Sequence, residues 1–161
     1  MTPGSERYRG EILAICNRFQ AAVSASFSFL LTFGYSACPP DAADLDDLRD
    51  ARLTLRYIKE RSALDITLSI LTRQTGVVLF AYSTPPTCQG AQRFEQATEL
   101  EDWIKRHQPT LPGKLPWMKK ATLAEEMGRS YNTFIRQMDL HMEEVVDWLA
   151  VRLKLSGMLS A

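Results

Sequence analysis

The chain has 161 residues, 45% of them hydrophobic, and its 19 basic residues are balanced by 19 acidic residues. This length and hydrophobic content suit one compact domain, or one domain with a small appendage, and argue against a chain that is disordered over most of its length. A net charge of zero also argues against a protein that coats nucleic acid through bulk charge.

The first part of the chain is predicted to form a helix followed by a strand. Ser5 can cap a helix over residues 6–21, where apolar residues recur every three or four positions. Over residues 23–35 the apolar residues alternate with small or hydroxyl residues, which is typical of a strand with one apolar face. Residues 19–40 carry no charge, but their period of two favours this strand over a membrane-spanning helix.

The three cysteines, Cys16, Cys38 and Cys88, are widely spaced, odd in number and without a C-x-x-C or histidine-rich neighbourhood. This pattern indicates neither a disulfide framework nor a zinc site, and it favours a reducing compartment. The start of the chain lacks the basic segment and apolar run of a secretory signal. We therefore expect a cytoplasmic protein with no membrane partner, in which Cys16 acts as a small core residue.

Residues 39–50 form an acidic connection that contains five aspartates. It lacks the glycine and terminal glutamate of a calcium loop, so it is predicted to be a solvated loop or a short helix. Three strand-like segments follow, over residues 52–59, 64–72 and 77–83. Because their links are short enough for hairpins, these segments and the strand at 23–35 are expected to form a four-stranded antiparallel meander.

Prolines and a helix signal follow the meander. Residues 84–90 contain a Pro-Pro pair and should leave the sheet, and residues 92–96 could form a short strand. Thr98 and Glu101 form a T-x-x-E capping box, which predicts a helix that ends at His107.

The predicted fold class is α+β. The N-terminal helix, the meander and the following helix form a body over residues 1–108. Repeated prolines mark a linker over residues 109–118, and a helical unit occupies residues 119–161. The helices must cover one apolar face of the sheet, and the other face could bind a partner. Residues 77–81 carry apolar side chains on both sides, which a strand buried on both faces explains more simply than a binding surface does.

The most informative local pattern lies in residues 120–139, which read KATLAEEMGRSYNTFIRQMD. Ala124 is a small residue where two helices would touch, and Gly128 can adopt the positive φ of a turn four positions later. Ser130 can cap the second helix, and Phe134 falls where an apolar side chain would close a small core.

This segment resembles the helix-turn-helix of small bacterial and phage-type transcription regulators, in which such a run is followed by an amphipathic helix like residues 141–155. The resemblance implies that the second helix enters the major groove of duplex DNA. Base contacts would come from Asn132 and Arg136, and backbone contacts from Ser130 and Tyr131. Phosphates would be neutralised by three further residues: Lys119, Lys120 and Arg129.

Other interpretations of the C-terminal unit stay open. The Ala-x-x-x-Gly spacing also arises in a plain helical hairpin, and basic and acidic residues nearly balance from residue 112 onward. The final helix carries a broad apolar stripe, which could dock onto the sheet or onto the helix-turn-helix, or form a homodimer. Its residues are Val145, Trp148, Leu149, Arg152, Leu153 and Leu155.

Two hypotheses about function follow. The first is a non-catalytic DNA-binding regulator whose N-terminal body dimerises or senses a signal. The second is a protein-binding adaptor, similar in general build to small α+β secretion chaperones, immunity proteins or inhibitors, which would present its sheet or helix surface to one partner. Neither hypothesis requires a cofactor or a metal, and no nucleophile motif, phosphate loop or metal-binding motif indicates catalysis.

Overall fold

The computed structural model describes residues 3–43, 51–88, 92–113 and 131–160. Within these ranges the chain forms five α-helices and six β-strands. The helices are α1 (Pro3–Ser26), α2 (Phe29–Thr32), α3 (Leu100–His107), α4 (Tyr131–Leu140) and α5 (Met142–Ser156), followed by a 3₁₀ turn at Met158–Ser160. The strands are β1 (Ser36–Ala37), β2 (Asp41–Ala43), β3 (Arg52–Lys59), β4 (Ser62–Ser69), β5 (Thr75–Ala81) and β6 (Gln96–Glu99).

The strands form one antiparallel sheet in the order β1-β3-β4-β5-β6. Strands β1 and β2 share one edge of β3, where β1 pairs with the end of β3 and β2 pairs with its beginning. Tight turns join the central strands, with Glu60 and Arg73 at positive φ in the β3–β4 and β4–β5 connections. The α+β fold and the three central strands are therefore as predicted. Strand β6 lies a few residues after the short strand predicted at 92–96.

The core lies between one face of the sheet and the helices. Side chains alternate across a strand, so every second residue of β3 and β4 points to this face. Six of these residues are buried there: Leu53, Leu55, Tyr57, Leu64, Ile66 and Leu68. Val145, Leu149 and Leu153 of α5 belong to the same buried cluster, so the last helix packs into the core of the body.

Helix α5 contacts α1 along one side and α3 along the other. Arg18 of α1 donates hydrogen bonds to Glu143 at the start of α5. Near the end of α5, Lys154 lies beside Phe29, which follows α1. Helices α1 and α5 therefore run parallel, and α5 has one side turned away from the sheet.

The predicted strand over residues 23–35 is wrong, because α1 runs into this region and α2 follows it. Val23, Phe27 and Leu30 are fully buried and are spaced four and three residues apart, which extends the apolar stripe of α1. A strand would have buried alternate residues, but Phe33 is half exposed. No helix in the described ranges has both the length and the apolar run needed to cross a membrane.

The predicted capping box before α3 is also wrong. Thr98 lies in β6 and pairs with Leu79, and Glu99 is the N-cap of α3 without a side-chain cap hydrogen bond. Glu101 instead forms an ion pair with Arg152 of α5. The physical reason is that β6 runs directly into α3, so residue 98 is held by the sheet.

Cys38 and Cys88 form a disulfide bond, with their Cα atoms 5.4 Å apart, whereas the cysteine pattern of the sequence indicated no disulfide framework. The amide of Cys38 donates to the carbonyl of Arg56 in β3, whereas Cys88 lies in the loop after β5. The sheet brings these distant parts of the chain together. Cys16 is buried, as predicted, and this burial raises the pKa of its thiol.

Candidate interaction surface

The residues predicted to contact DNA fall partly outside the described ranges, as does the first helix of the predicted unit. Four of the seven residues lie there: Lys119, Lys120, Arg129 and Ser130. Tyr131 and Asn132 are in the first turn of α4, and Arg136 is exposed on the same helix. The helix that would read DNA bases is therefore present, and its use in DNA binding stays a prediction.

Helix α4 is fixed to the body on the side opposite Arg136. Phe134 and Met138, one turn apart, are buried in the main core. The carboxylate of Asp139 accepts a hydrogen bond of 2.8 Å from the Nε of Arg73, and its carbonyl accepts one of 2.8 Å from Arg18. These contacts connect the end of α4 to α1 and to the β4–β5 turn.

Helices α4 and α5 are separated by one residue, His141, whose backbone is not helical. The buried stripe of α5 faces the sheet, so residues on the opposite half of the helix turn face outward. We call the outward side of α5, together with the exposed Leu140 at the end of α4, the helical face. It consists of seven residues: Leu140, Glu144, Asp147, Trp148, Val151, Lys154 and Leu155.

The helical face exposes large apolar side chains. Leu140, Leu155 and Val151 are 69%, 58% and 41% exposed, and Trp148 is partly exposed between them. Single exposed apolar residues are normal on protein surfaces, but contiguous ones mark sites of interaction. Trp148, Val151 and Leu155 lie on one side of α5 at helical spacing, which makes this surface the strongest candidate for an interaction site among the described residues.

The short helix α2 extends this surface at the end of α5. The ammonium of Lys154 lies 4.6 Å from the centre of the Phe29 ring, and this ring packs edge-on against Phe33 at 6.0 Å. Phe33 and Leu31 are both about half exposed. The apolar surface therefore continues from α5 onto α2.

The charges of α5 are unevenly distributed. Glu143, Glu144 and Asp147 are exposed in its first half, whereas Lys154 is exposed near its end. Two hydrogen bonds from Arg18, of 3.0 and 2.8 Å, lower the pKa of the Glu143 carboxyl. The helical face is thus acidic where it begins and basic and apolar where it ends.

The opposite face of the sheet, which we call the outer sheet face, is partly closed by the loop that leaves β5. Tyr82 is buried in this loop, and the disulfide bond fastens Cys88 to the chain after β1. On the return path to β6, Phe94 packs edge-on against Phe80 of β5, with ring centres 4.9 Å apart. The loop therefore crosses this face and is held at both sides.

An ion pair lies beneath this loop. Arg56 of β3 donates to both carboxylate oxygens of Asp65, which lies directly opposite on β4, at 2.7 and 2.9 Å. Arg56 also donates to the carbonyl of Thr87 at 3.2 Å, and its guanidinium lies within 6 Å of the rings of Phe80 and Tyr82. The hydrogen bonds to Asp65 are the main cause that raises the pKa of Arg56. These contacts secure the loop rather than leave the pair open to a ligand.

A shallow cavity of about 270 Å³ lies between α3 and the chain that follows it, and Arg152 is part of its wall. Only 4% of Arg152 is exposed. Its guanidinium donates to both oxygens of Glu101, at 2.9 and 2.6 Å, and to the carbonyl of Pro112, and it lies 4.8 Å from the ring of Trp148. Arg152 is therefore engaged within the chain, where it fastens residues 109–113 to α5.

Comparisons with protein-family models, with curated proteins and with solved structures return no match. The fold and the surface define an α+β protein that combines a partly covered sheet face with exposed apolar residues on its C-terminal helices.

The apolar stripe predicted on the final helix contains part of the helical face. Trp148 and Leu155 belong to the predicted apolar stripe, but Leu140 and Val151 were not recognised as exposed. The available signal was the width of the stripe, because apolar residues occupy more of the circumference of α5 than one buried face requires.

Proposed function

We propose that this chain is a non-catalytic protein-binding module that uses its helical face as the binding surface. The observation that carries this proposal is the exposure of Val151 and Leu155 on one side of α5, with Leu140 exposed at the end of α4. Burying such side chains against a partner removes apolar area from water, which is the main driving force of protein association.

The charges beside these residues support a protein partner. Glu143, Glu144 and Asp147 border the apolar residues, and carboxylates repel the phosphates of a nucleic acid. A protein surface with apolar residues flanked by basic ones would complement this arrangement.

The disulfide bond bears on the compartment in which the module works. Disulfides form and persist in oxidising environments and are rare in the cytosol. The cytoplasmic location was predicted from cysteines taken as unpaired, whereas Cys38 and Cys88 are bonded. We therefore propose that the protein works in an oxidising compartment.

Site-specific photo-crosslinking tests the binding surface. A photoreactive amino acid replaces Leu155 on the helical face or, as a matched control, Leu71 in the β4–β5 turn, which is 45% exposed. We expect crosslinks to a protein of defined mass from position 155 and none from position 71 when the protein is irradiated where it is naturally expressed. Absence of crosslinks from 155, or equal crosslinking from both positions, would contradict the proposal.

DNA binding is the second candidate, and the exposure of Arg136 favours it. Arg136 lies on α4 opposite the buried Phe134 and Met138, as expected of a base-reading residue on an anchored helix. Arg136→Ala should then weaken specific binding by about 1–3 kcal/mol. Fluorescence anisotropy with duplex DNA at low and moderate salt, with Arg93→Ala as an exposed control, measures this effect. If Arg136→Ala and Arg93→Ala bind the duplex with equal affinity, Arg136 does not contact the bases.

A further inference from the structure

We infer that the protein which binds the helical face is a second copy of this chain, packed antiparallel along α5. This inference rests on the proposed function, because it uses the same surface and names its partner. Three observations support it: the spacing of the apolar residues on α5, the positions of two opposite charges beside them, and the bonding of Arg152 to Glu101 within its own chain.

The apolar residues of α5 have the spacing of a helix-pairing seam. Trp148, Val151 and Leu155 are separated by three and then four residues, as are the a, d and a positions of a coiled-coil heptad. Residues at this spacing form a single line along a helix, which a second helix can cover. Together they span two turns of α5, and Val151 lies in the middle of the line.

Two opposite charges flank this line on the same side. Asp147 and Lys154 are exposed, and each precedes a seam residue, so both occupy the g position of the heptad. In an antiparallel pair related by a two-fold axis, g positions of the two helices face each other. When Trp148 of one copy packs against Val151 of the other, Asp147 of one copy therefore faces Lys154 of the other. The symmetry produces this ion pair twice.

The parallel alternative lacks such a pair. In parallel helices a g residue faces an e position of the partner, and the e position after Val151 is Arg152. Arg152 is buried and already bonded to Glu101 within its own chain, so it is not free to meet Asp147 of a second copy. The antiparallel arrangement is the one that the charges of α5 complement.

The orientation also suits the two halves of α5. The first half carries the exposed carboxylate of Asp147, and it would lie beside the C-terminal half of the other copy, which carries Lys154. Antiparallel helices further place the positive end of each helix dipole near the negative end of the other. Charge complementarity of this kind selects the orientation of a pair.

Charge reversal tests the inference with the full-length, disulfide-bonded chain. Sedimentation velocity over a range of protein concentrations gives the dissociation constant of wild type, Asp147→Lys, Lys154→Asp and the double variant. We expect a concentration-dependent dimer for the wild type and at least about tenfold weaker association for each single variant, since each one places like charges opposite each other twice.

Two combinations of these substitutions should restore the dimer. The double variant exchanges both charges within each chain. An equimolar mixture of the two single variants brings the lysine introduced in one chain opposite the aspartate introduced in the other. Both should associate about as tightly as the wild type. Glu95→Lys, an exposed charge reversal on the loop before β6, serves as the matched control and should leave the association unchanged.

Several results would overturn the inference. A monomer at every concentration would do so, as would single variants that dimerise like the wild type or a double variant that stays as weak as the singles. A monomer that still crosslinks from position 155 to another protein would overturn the second copy as partner and leave the proposed function standing. If position 155 gives no crosslinks and the protein is also monomeric at every concentration, both the second copy as partner and the proposed function would be overturned.

Discussion

The outer sheet face and the helical face both carry large apolar side chains, but the protein treats them differently. On the sheet, Phe80 lies beside a loop that contains the buried Tyr82 and is held by a disulfide bond and by a hydrogen bond from Arg56. On the helices, Val151 and Leu155 are exposed, and no described segment covers them. A loop over an apolar surface must be fastened because ordering it costs conformational entropy.

This difference separates residues that stabilise the fold from residues that remain available to a partner. On the outer sheet face, the disulfide bond connects segments that are 50 residues apart in the chain, and the ion pair between Arg56 and Asp65 joins two neighbouring strands. The charges of the helical face, such as Asp147 and Lys154, lie on a single helix and are exposed. Substitutions on the first face should therefore change stability, and those on the second should change association.

The largest expected effect is the loss of the disulfide bond. Replacing Cys38 and Cys88 by serine should lower the free energy of unfolding by about 2–4 kcal/mol, because the bond closes a long loop, with its cysteines 50 residues apart. Urea unfolding with and without a reductant measures this change. The reductant should destabilise the wild type and leave the double variant unaffected. If the reductant lowers the free energy of unfolding of both proteins equally, the disulfide bond does not stabilise the fold.

A smaller loss is expected from the ion pair under the loop. Arg56→Ala should cost about 2 kcal/mol in the free energy of unfolding, because it leaves the carboxylate of Asp65 desolvated without its partner. Arg52→Ala, exposed on the same strand, is the matched control and should have little effect. Replacing both Arg56 and Asp65 by apolar residues should recover part of the loss, and additive losses would refute the pairing.

The ion pair between α1 and α5 should contribute less and should depend on pH. The hydrogen bonds from Arg18 lower the pKa of Glu143, so the pair stabilises the fold above the ordinary glutamate pKa and loses this contribution as pH falls through the lowered pKa. Because Glu143 is 59% exposed, Glu143→Gln should cost less than about 1 kcal/mol at neutral pH. The difference in the free energy of unfolding between wild type and Glu143→Gln should disappear in acid. A difference that grows in acid would contradict a lowered pKa of Glu143.

The smallest effect on stability is expected on the helical face. Leu155→Lys should change the free energy of unfolding by no more than about 0.5 kcal/mol, because the side chain is largely exposed. Chemical unfolding of the monomeric protein at low concentration measures this change. Leu153→Lys, on the buried side of the same helix, should be strongly destabilising. Similar losses for both variants would show that residue 155 belongs to the core.

Local patterns in the sequence identified much of the fold. The alternating apolar residues of residues 52–59 match β3, because one face of that strand is buried and the other is not. The pattern failed for residues 23–35, where Val23 and Phe27 fit both a helical and an alternating spacing, and Leu30, which is also buried, fits only the helical one. The preceding stripe of α1 decides between them, since the helix already faces the core and continues along the same side.

The disulfide bond and the helical face could not be derived from local patterns. Cys38 and Cys88 become neighbours only after the sheet has formed. The stripe of α5 was visible in the sequence, but which part of it is buried depends on how α1, α3 and the sheet surround the helix. Leu155 was therefore counted with the buried Leu153, although it is exposed.

The most direct test of the account is hydroxyl-radical footprinting of the disulfide-bonded protein across a concentration series. We predict that oxidation of Trp148, Val151 and Leu155 falls as the protein associates, while oxidation of Phe94 on the outer sheet face and of Leu71 stays constant. Protection of Phe94 instead of Leu155 would place the interface on the sheet and contradict the account.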